Sequence, residues 1–250
     1  MKIIAVDIGN SSIKLIWMSD GKVVGFERIS ENHFRQIENV SSVDAICISS
    51  VNPHSKYIVK NWIDKNFKGK VFEINPSSPF SFENGYHPPE ALGVDRMCGA
   101  EGALFYMSQN ASATSECVIT ADFGTATTIN LVENHKFMGG YILPGVRLAI
   151  RALNTNTALL PKVDLSGKIG LFGNNTKHCM QTGIIQSAIA LLEKFHKIYE
   201  NKYSKPPQLF VTGGNAEFFI PLIRPQHIYL KELTCYGMYS IASKLMGIAQ

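Results

Sequence analysis

The chain has 250 residues, 45% hydrophobic and 18% charged, an ordinary globular mixture that excludes disordered, collagen-like and disulfide-scaffold classes. Lys and Arg number 24 against 20 Asp and Glu, a net charge of +4 spread along the chain, which argues against a nucleic-acid partner. The five cysteines form no Cys-x-x-Cys pair, so they read as small core residues in a reducing compartment.

In chain order, the apolar run Ile3 to Val6 stops at Asp7, too short for a signal peptide, and no run approaches a membrane span. A cytoplasmic protein with no membrane partner is therefore expected. Asp7-Ile8-Gly9-Asn10-Ser11-Ser12 then turns the chain into a second β-rich run, Ile13 to Met18, a hairpin signal. After the Asp20-Gly21 turn, strands are expected over Lys22 to Phe26, Ala45 to Ser49 and Lys70 to Ile74, with a helix near Lys56 to Asn66. A Pro-rich stretch, Asn75 to Pro89, interrupts regular structure, and Ala91 to Ser108 resumes as helix.

The run Cys117 to Asp122 and the turn Phe123-Gly124-Thr125-Ala126-Thr127-Thr128 echo the first hairpin, with their aspartates 115 residues apart. A repeat period this long predicts two similar α/β domains with a cleft between them, here 1–114 and 115–250, the boundary falling in Asn110 to Glu116. Gly139-Gly140-Tyr141-Ile142-Leu143-Pro144-Gly145 reads as strand and turn. Cys179 to Glu200 has apolar residues on one helical face, Leu209 to Thr212 is a buried strand entering Gly213-Gly214-Asn215, and Cys235 to Ile248 is a closing helix.

The Asp-x-Gly turns are where phosphate chemistry is expected. Gly9 permits close backbone approach, the N–H groups that follow can point at phosphate oxygens, and the hydroxyls of Ser11 and Ser12 add donors. Asp7 would face a divalent cation, and the second copy adds a carboxylate and three hydroxyls, so that two such loops would clamp a triphosphate. Turn chemistry alone also explains each loop. Leu92-Gly93-Val94-Asp95-Arg96 stands at a helix start, where Asp95 is either a cap or a general base beside a cation. No P-loop, Rossmann fingerprint, zinc motif or nucleophile elbow is present.

The ordered set Asp7-x-Gly-Asn, Gly93-Val94-Asp95-Arg96, Asp122-Phe-Gly-Thr-Ala-Thr-Thr, Gly139-Gly-Tyr-Ile-Leu-Pro-Gly145, and Thr176 ahead of Met180-Gln181-x-Gly183 resembles the type III pantothenate kinases. The resemblance spans nearly the whole chain. It implies an α/β fold of two ribonuclease-H-like (actin-like ATPase) domains, a homodimer, and ATP-dependent phosphorylation of pantothenate, the first committed step toward coenzyme A.

Carried over by motif, the nucleotide segment is Asp7, Ile8, Gly9, Asn10, Ser11, Ser12, Ile13 and Lys14, with Thr125 also meeting ATP. Asp95 is the implied base. Tyr86, Gly93, Val94, Asp95, Arg96 and Thr176 are the implied pantothenate contacts, and Asp122 the implied ligand of a monovalent cation, potassium or ammonium. Magnesium accompanies the ATP, met by Asp7 directly or through water. One departure is visible: Tyr86-His87-Pro88-Pro89 has proline where the family commonly has asparagine. Alternatives from other classes are an accessory, nucleotide-dependent regulatory protein and a same-fold kinase acting on another small hydroxy acid; retention of Asp7, Asp95, Arg96 and Asp122 favours the kinase.

Overall fold

Runs of Ile, Val and Ala separated by short polar turns pair into two sheets that repeat one strand order. The first sheet holds β1 (Lys2–Ile8), β2 (Ile13–Ser19), β3 (Lys22–Ile29), β4 (Ala45–Ser50) and β5 (Lys70–Glu73), in the order β3-β2-β1-β4-β5. β1 and β2 form the expected antiparallel hairpin, while β4 and β5 continue parallel to β1. The second sheet holds β6 (Glu83–Asn84), β7 (Cys117–Phe123), β8 (Ala126–Glu133), β9 (Lys136–Pro144), β10 (Gln208–Thr212) and β11 (Ile228–Tyr229). Its order, β9-β8-β7-β10-β11, reproduces the first, with β7 and β8 antiparallel and β10 and β11 parallel to β7. The sequence echo is thus a repeat of topology. β6 extends this sheet through Lys136 and Phe137 at the start of β9.

The computed structural model describes residues 1–30, 34, 40–110, 116–166 and 169–248. Residues 111–115 of the expected boundary lie outside them. Two compact units result: Met1–Thr114 with His135–Phe137 and Leu233–Gln250, and Ser115–Asn134 with Met138–Glu232.

In the first unit β1 is buried on both sides, which is why it reads as a continuous apolar run rather than an alternating one. Ile4, Val6 and Ile8 pack with Val59 and Ile63 of α1 (Pro53–Asn66). That helix starts earlier than its periodicity suggests, because the Asn52 side chain caps the amides of His54 and Ser55 and Pro53 is pre-set for the first turn. Ile3 and Ala5 pack on the opposite side with Cys98 of α2 (Val94–Gln109) and with Cys235, Met238 and Ile241 of α5 (Leu233–Leu245). Strand alternation puts Asp7 on this second side. The C-terminal helix, grouped by sequence with residues 115–250, therefore packs in the first unit, whose sheet it covers.

In the second unit, Ile119, Ala121 and Phe123 of β7 pack with Val146 and Ile150 of α3 (Val146–Asn156) and with Met180, Ile185, Ile189 and Leu192 of α4 (Thr176–Tyr203). α3 is an element the sequence reading did not identify. Asp122, between inward residues 121 and 123, points to the other face of the sheet. α4 begins at the Asn175 cap, whose side chain accepts from the His178 amide, and ends at Ser204 in the left-handed conformation.

Candidate active site

In the first unit, Asp7 to Lys14 span the turn at the C-terminal end of β1. Asp7 stands opposite Lys14 in the hairpin register, and the Lys14 ammonium donates to Asp7 Oδ2 at 2.9 Å. Gly9 N–H donates to the Ser12 carbonyl at 3.1 Å, closing a four-residue turn with Asn10 and Ser11 exposed at its tip. Ile8 and Ile13, both inside the predicted nucleotide segment, are core side chains, so only their backbone can meet a ligand.

Asp95 lies in the first turn of α2. Its Oδ1 accepts from the Arg96 amide at 2.8 Å, and the carboxylate folds back over Gly93, where a Cβ would lie 2.6 Å from the same oxygen. A side chain at position 93 would therefore displace the carboxylate from this position. Burial raises the Asp95 pKa, and the negative charge of Asp7 pushes the same way, against the lowering hydrogen bond from the Arg96 amide and the Arg96 charge. The Asp7 charge thus reaches Asp95 within this unit. Val94 is buried in the core and offers only its backbone.

Arg96 is 7% exposed, with its guanidinium 5.4 Å from the Tyr86 ring centroid and 5.6 Å from that of Phe137. Phe137 is fully buried and was missed in the sequence, which held no signal for a partner 41 residues beyond Arg96. Ser49, also missed, is opposite Asp7 in the parallel register and fully buried.

The second unit holds the other predicted residues. Asp122 is opposite Thr128 near the end of the β7–β8 hairpin, whose turn is Gly124-Thr125, with Thr125 exposed. The loop is held by backbone contacts. Gly145 N–H donates to the Thr125 carbonyl at 3.0 Å, and the Asn215 side chain donates to the Gly124 carbonyl at 3.0 Å. Arg147 Nε in turn donates to Asn215 Oδ1 at 3.1 Å. Gly213 has φ +106°, and a Cβ there would lie 2.5 Å from Asp122 Oδ1. Thr176 is exposed at the first position of α4, on a separate element from this loop.

The family model of the type III pantothenate kinases matches residues 3–197. The chain belongs to the type III pantothenate kinase family. A curated family member from Dictyoglomus turgidum is 30% identical over 265 aligned positions, covering 97% of this chain and 99% of that one. Among solved structures, a Campylobacter jejuni protein assigned to the Baf family of transcriptional activators is 22% identical with a TM-score of 0.67, covering 98% of this chain and all of that one. A Listeria monocytogenes protein assigned as an N-acetylmannosamine kinase is 14% identical with a TM-score of 0.53, covering 98% of this chain and all of that one. These likenesses establish the two-domain actin-like α/β fold expected for a type III pantothenate kinase. Among the described residues, no helix is long and apolar enough to cross a membrane.

Proposed function

We propose that this chain transfers the γ-phosphoryl group of ATP to the primary hydroxyl of pantothenate, giving 4′-phosphopantothenate and ADP in the first step of coenzyme A biosynthesis. The observation that supports this most directly is Asp95: a half-buried carboxylate at a helix start, raised in pKa by burial and by Asp7, beside the stacked Arg96. As the hydroxyl oxygen forms its bond to phosphorus, Asp95 accepts the hydroxyl proton, and the bond from the γ-phosphorus to the bridging oxygen breaks to release ADP. A raised pKa makes Asp95 a stronger base than a solvated carboxylate, and such a base contributes about 10²–10⁴-fold. Arg96 and Tyr86, with the backbone of Gly93 and Val94, hold the acid substrate.

The nucleotide reading rests on Asp7 through Lys14 and on Thr125. Asp7, at the end of β1 opposite Lys14, is the carboxylate that would meet a magnesium ion arriving on the phosphates. When bound, the ion neutralises phosphate charge. Asp122 fits a monovalent cation, because Gly213 and Gly124 leave its Oδ1 a cradle that a Cβ on either would crowd, at 2.5 and 3.2 Å. The homodimer belongs to the same proposal and is supported by Met138 and Ile142, which are 47% and 62% exposed on β9. A cytoplasmic location also belongs to it.

The test is formation of 4′-phosphopantothenate by the purified protein with ATP and magnesium, with and without potassium, beside Asp95→Asn, with the oligomeric state read by sedimentation. Potassium-dependent product that is lost in a folded Asp95→Asn variant supports the whole assignment. Absence of product from a folded protein that binds ATP overturns it.

A further inference from the structure

The segment carrying Tyr86 has little of its own backbone hydrogen bonding to hold it. Pro88 and Pro89 have no N–H, and neither side chain can donate or accept. The only described side chain that bonds to both ends of this segment is Asn84. Its Oδ1 accepts from the Tyr86 amide at 3.0 Å, and its Nδ2 donates to the Pro89 carbonyl at 3.0 Å.

Asn84 is itself fixed by its neighbours. Glu83 N–H donates to the His135 carbonyl at 2.8 Å and Gly85 N–H to the Phe137 carbonyl at 3.0 Å, so the β6 backbone is tied on both sides of Asn84. A Cβ on Gly85 would lie 2.7 Å from the Phe137 carbonyl oxygen, a close approach that glycine alone permits. The Phe137 ring lies 5.6 Å from the Arg96 guanidinium, and the Tyr86 ring 5.4 Å from it. One short piece of chain therefore sets both rings against Arg96: Phe137 through the strand, and Tyr86 through the Asn84 side chain.

We propose that Asn84 is a positioning residue for the acid-substrate pocket, its side chain bracketing residues 86–89 so that the Tyr86 ring stays against the Arg96 guanidinium. This deepens the reading of Tyr86 and Arg96 as pantothenate contacts and rests on it. Asn84 touches no reacting atom. Its effect is on how well the pocket is formed before substrate arrives, which is a binding effect.

Two variants of the full chain separate the two bonds. Asn84→Ala removes both, and Asn84→Asp keeps the acceptor for the Tyr86 amide while losing the donor to Pro89. In Asn84→Ala, KM for pantothenate rises about tenfold with KM for ATP within about twofold, the scale expected for one or two lost hydrogen bonds. The Tyr86 amide exchanges with solvent faster in Asn84→Ala, and Asn84→Asp restores that protection along with part of the pantothenate KM. A role in stability alone would lower the melting temperature and leave the ratio of the two KM values unchanged.

Equal rises in both KM values, an unshifted pantothenate KM, or unaltered Tyr86 exchange in Asn84→Ala overturns the proposal. In each of these cases an active wild-type protein leaves the kinase reading standing. A wild-type protein that makes no 4′-phosphopantothenate overturns that reading first, and this proposal with it.

Discussion

Gly102 of α2 and Gly237 of α5 bring two helix backbones into contact: a Cβ on Gly237 would lie 2.0 Å from the Cys98 carbonyl oxygen, and one on Gly102 2.0 Å from that of Leu233. Each glycine's Cβ would also meet the other's amide nitrogen, at 2.9 and 3.0 Å. In an exposed helix, Gly→Ala stabilises by about 1 kcal/mol through propensity. Here the sign reverses, because the atoms in the way are backbone and can yield only if the helices separate. Gly237→Ala is expected to cost about 1–3 kcal/mol, lowering the melting temperature by roughly 2–4 °C per kcal/mol in a chain of this size. An unchanged or raised melting temperature would show that the crossing is looser than the contact implies.

The same two helices are joined by Glu101, which is fully buried. Its carboxylate accepts from the Ser81 amide at 2.7 Å, the Ser81 hydroxyl at 2.9 Å, the Ser240 hydroxyl at 2.7 Å and the Lys244 ammonium at 2.6 Å. Such a charge is tolerated only because every partner is present. Removing Glu101 leaves the Ser81 amide and the Ser81 and Ser240 hydroxyls without their acceptor and strips the Lys244 ammonium of its counter-charge, although the Pro79 carbonyl and the Ser81 hydroxyl still accept from it at 3.0 and 2.6 Å, and Glu101→Ala is expected to cost about 3–5 kcal/mol. Denaturant unfolding of Glu101→Ala, Lys244→Ala and the double variant should give a coupling above about 0.5 kcal/mol, whereas strict additivity would mean that the pair does not act as a unit.

How far these features were legible depends on whether their cause is local. The Asp7 and Asp122 hairpins could be read directly, since continuous apolar, β-branched runs around Asp-x-Gly specify a strand, a turn and a second strand without outside help. The existence of α2 was legible for the same reason, from Gly93 and the charged first turn, although the helix begins at Val94 rather than at the expected Ala91. By contrast, nothing in Leu233 to Leu245 says which sheet it covers, because a helix that is apolar on most sides fits many surfaces. α3 had a readable signal, the spacing of Val146 and Ile150, but the turn before it drew the reading to glycine chemistry instead. Asn84 also left a trace, in that Asn-Gly commonly starts a turn through its own side chain; its bond to Pro89 depends on a path that only the folded chain defines.

Asn215 gives a prediction for the Thr125 loop of the second unit, which is proposed to meet the nucleotide. Its side chain donates to Gly124 and accepts from Arg147, and its amide donates to the Phe123 carbonyl at 2.9 Å. Asn215→Ala keeps the amide bond and loses the two side-chain bonds, about 1–3 kcal/mol in sum at roughly 0.5–1.5 kcal/mol each. Because these bonds fix the backbone beside Thr125, KM for ATP should rise while KM for pantothenate changes little. A rise in the pantothenate KM alone would remove Thr125 and its loop from the nucleotide site.

Asp95 links the pH dependence of activity to that of stability, with opposite signs. As the proposed base it must be ionised, so kcat/KM is expected to fall as pH drops through its pKa, and burial places that limb above the ordinary aspartate value of about 3.9. For stability, the folded protein binds the Asp95 proton more tightly than the unfolded chain does. The stabilisation this group provides is therefore complete below the unfolded pKa and is lost as pH rises through the folded one. At neutral pH the ionised, desolvated carboxylate is a burden on the fold, which Asp95→Asn removes. The variant should thus lose activity by about 10²–10⁴-fold while melting at the same temperature as the parent or higher near neutral pH. Below the unfolded pKa, where the parent carboxyl is also neutral, the two melting temperatures should converge. A variant that is inactive because it melts well below the parent at neutral pH would assign Asp95 to the fold and leave the proton acceptor to be found elsewhere.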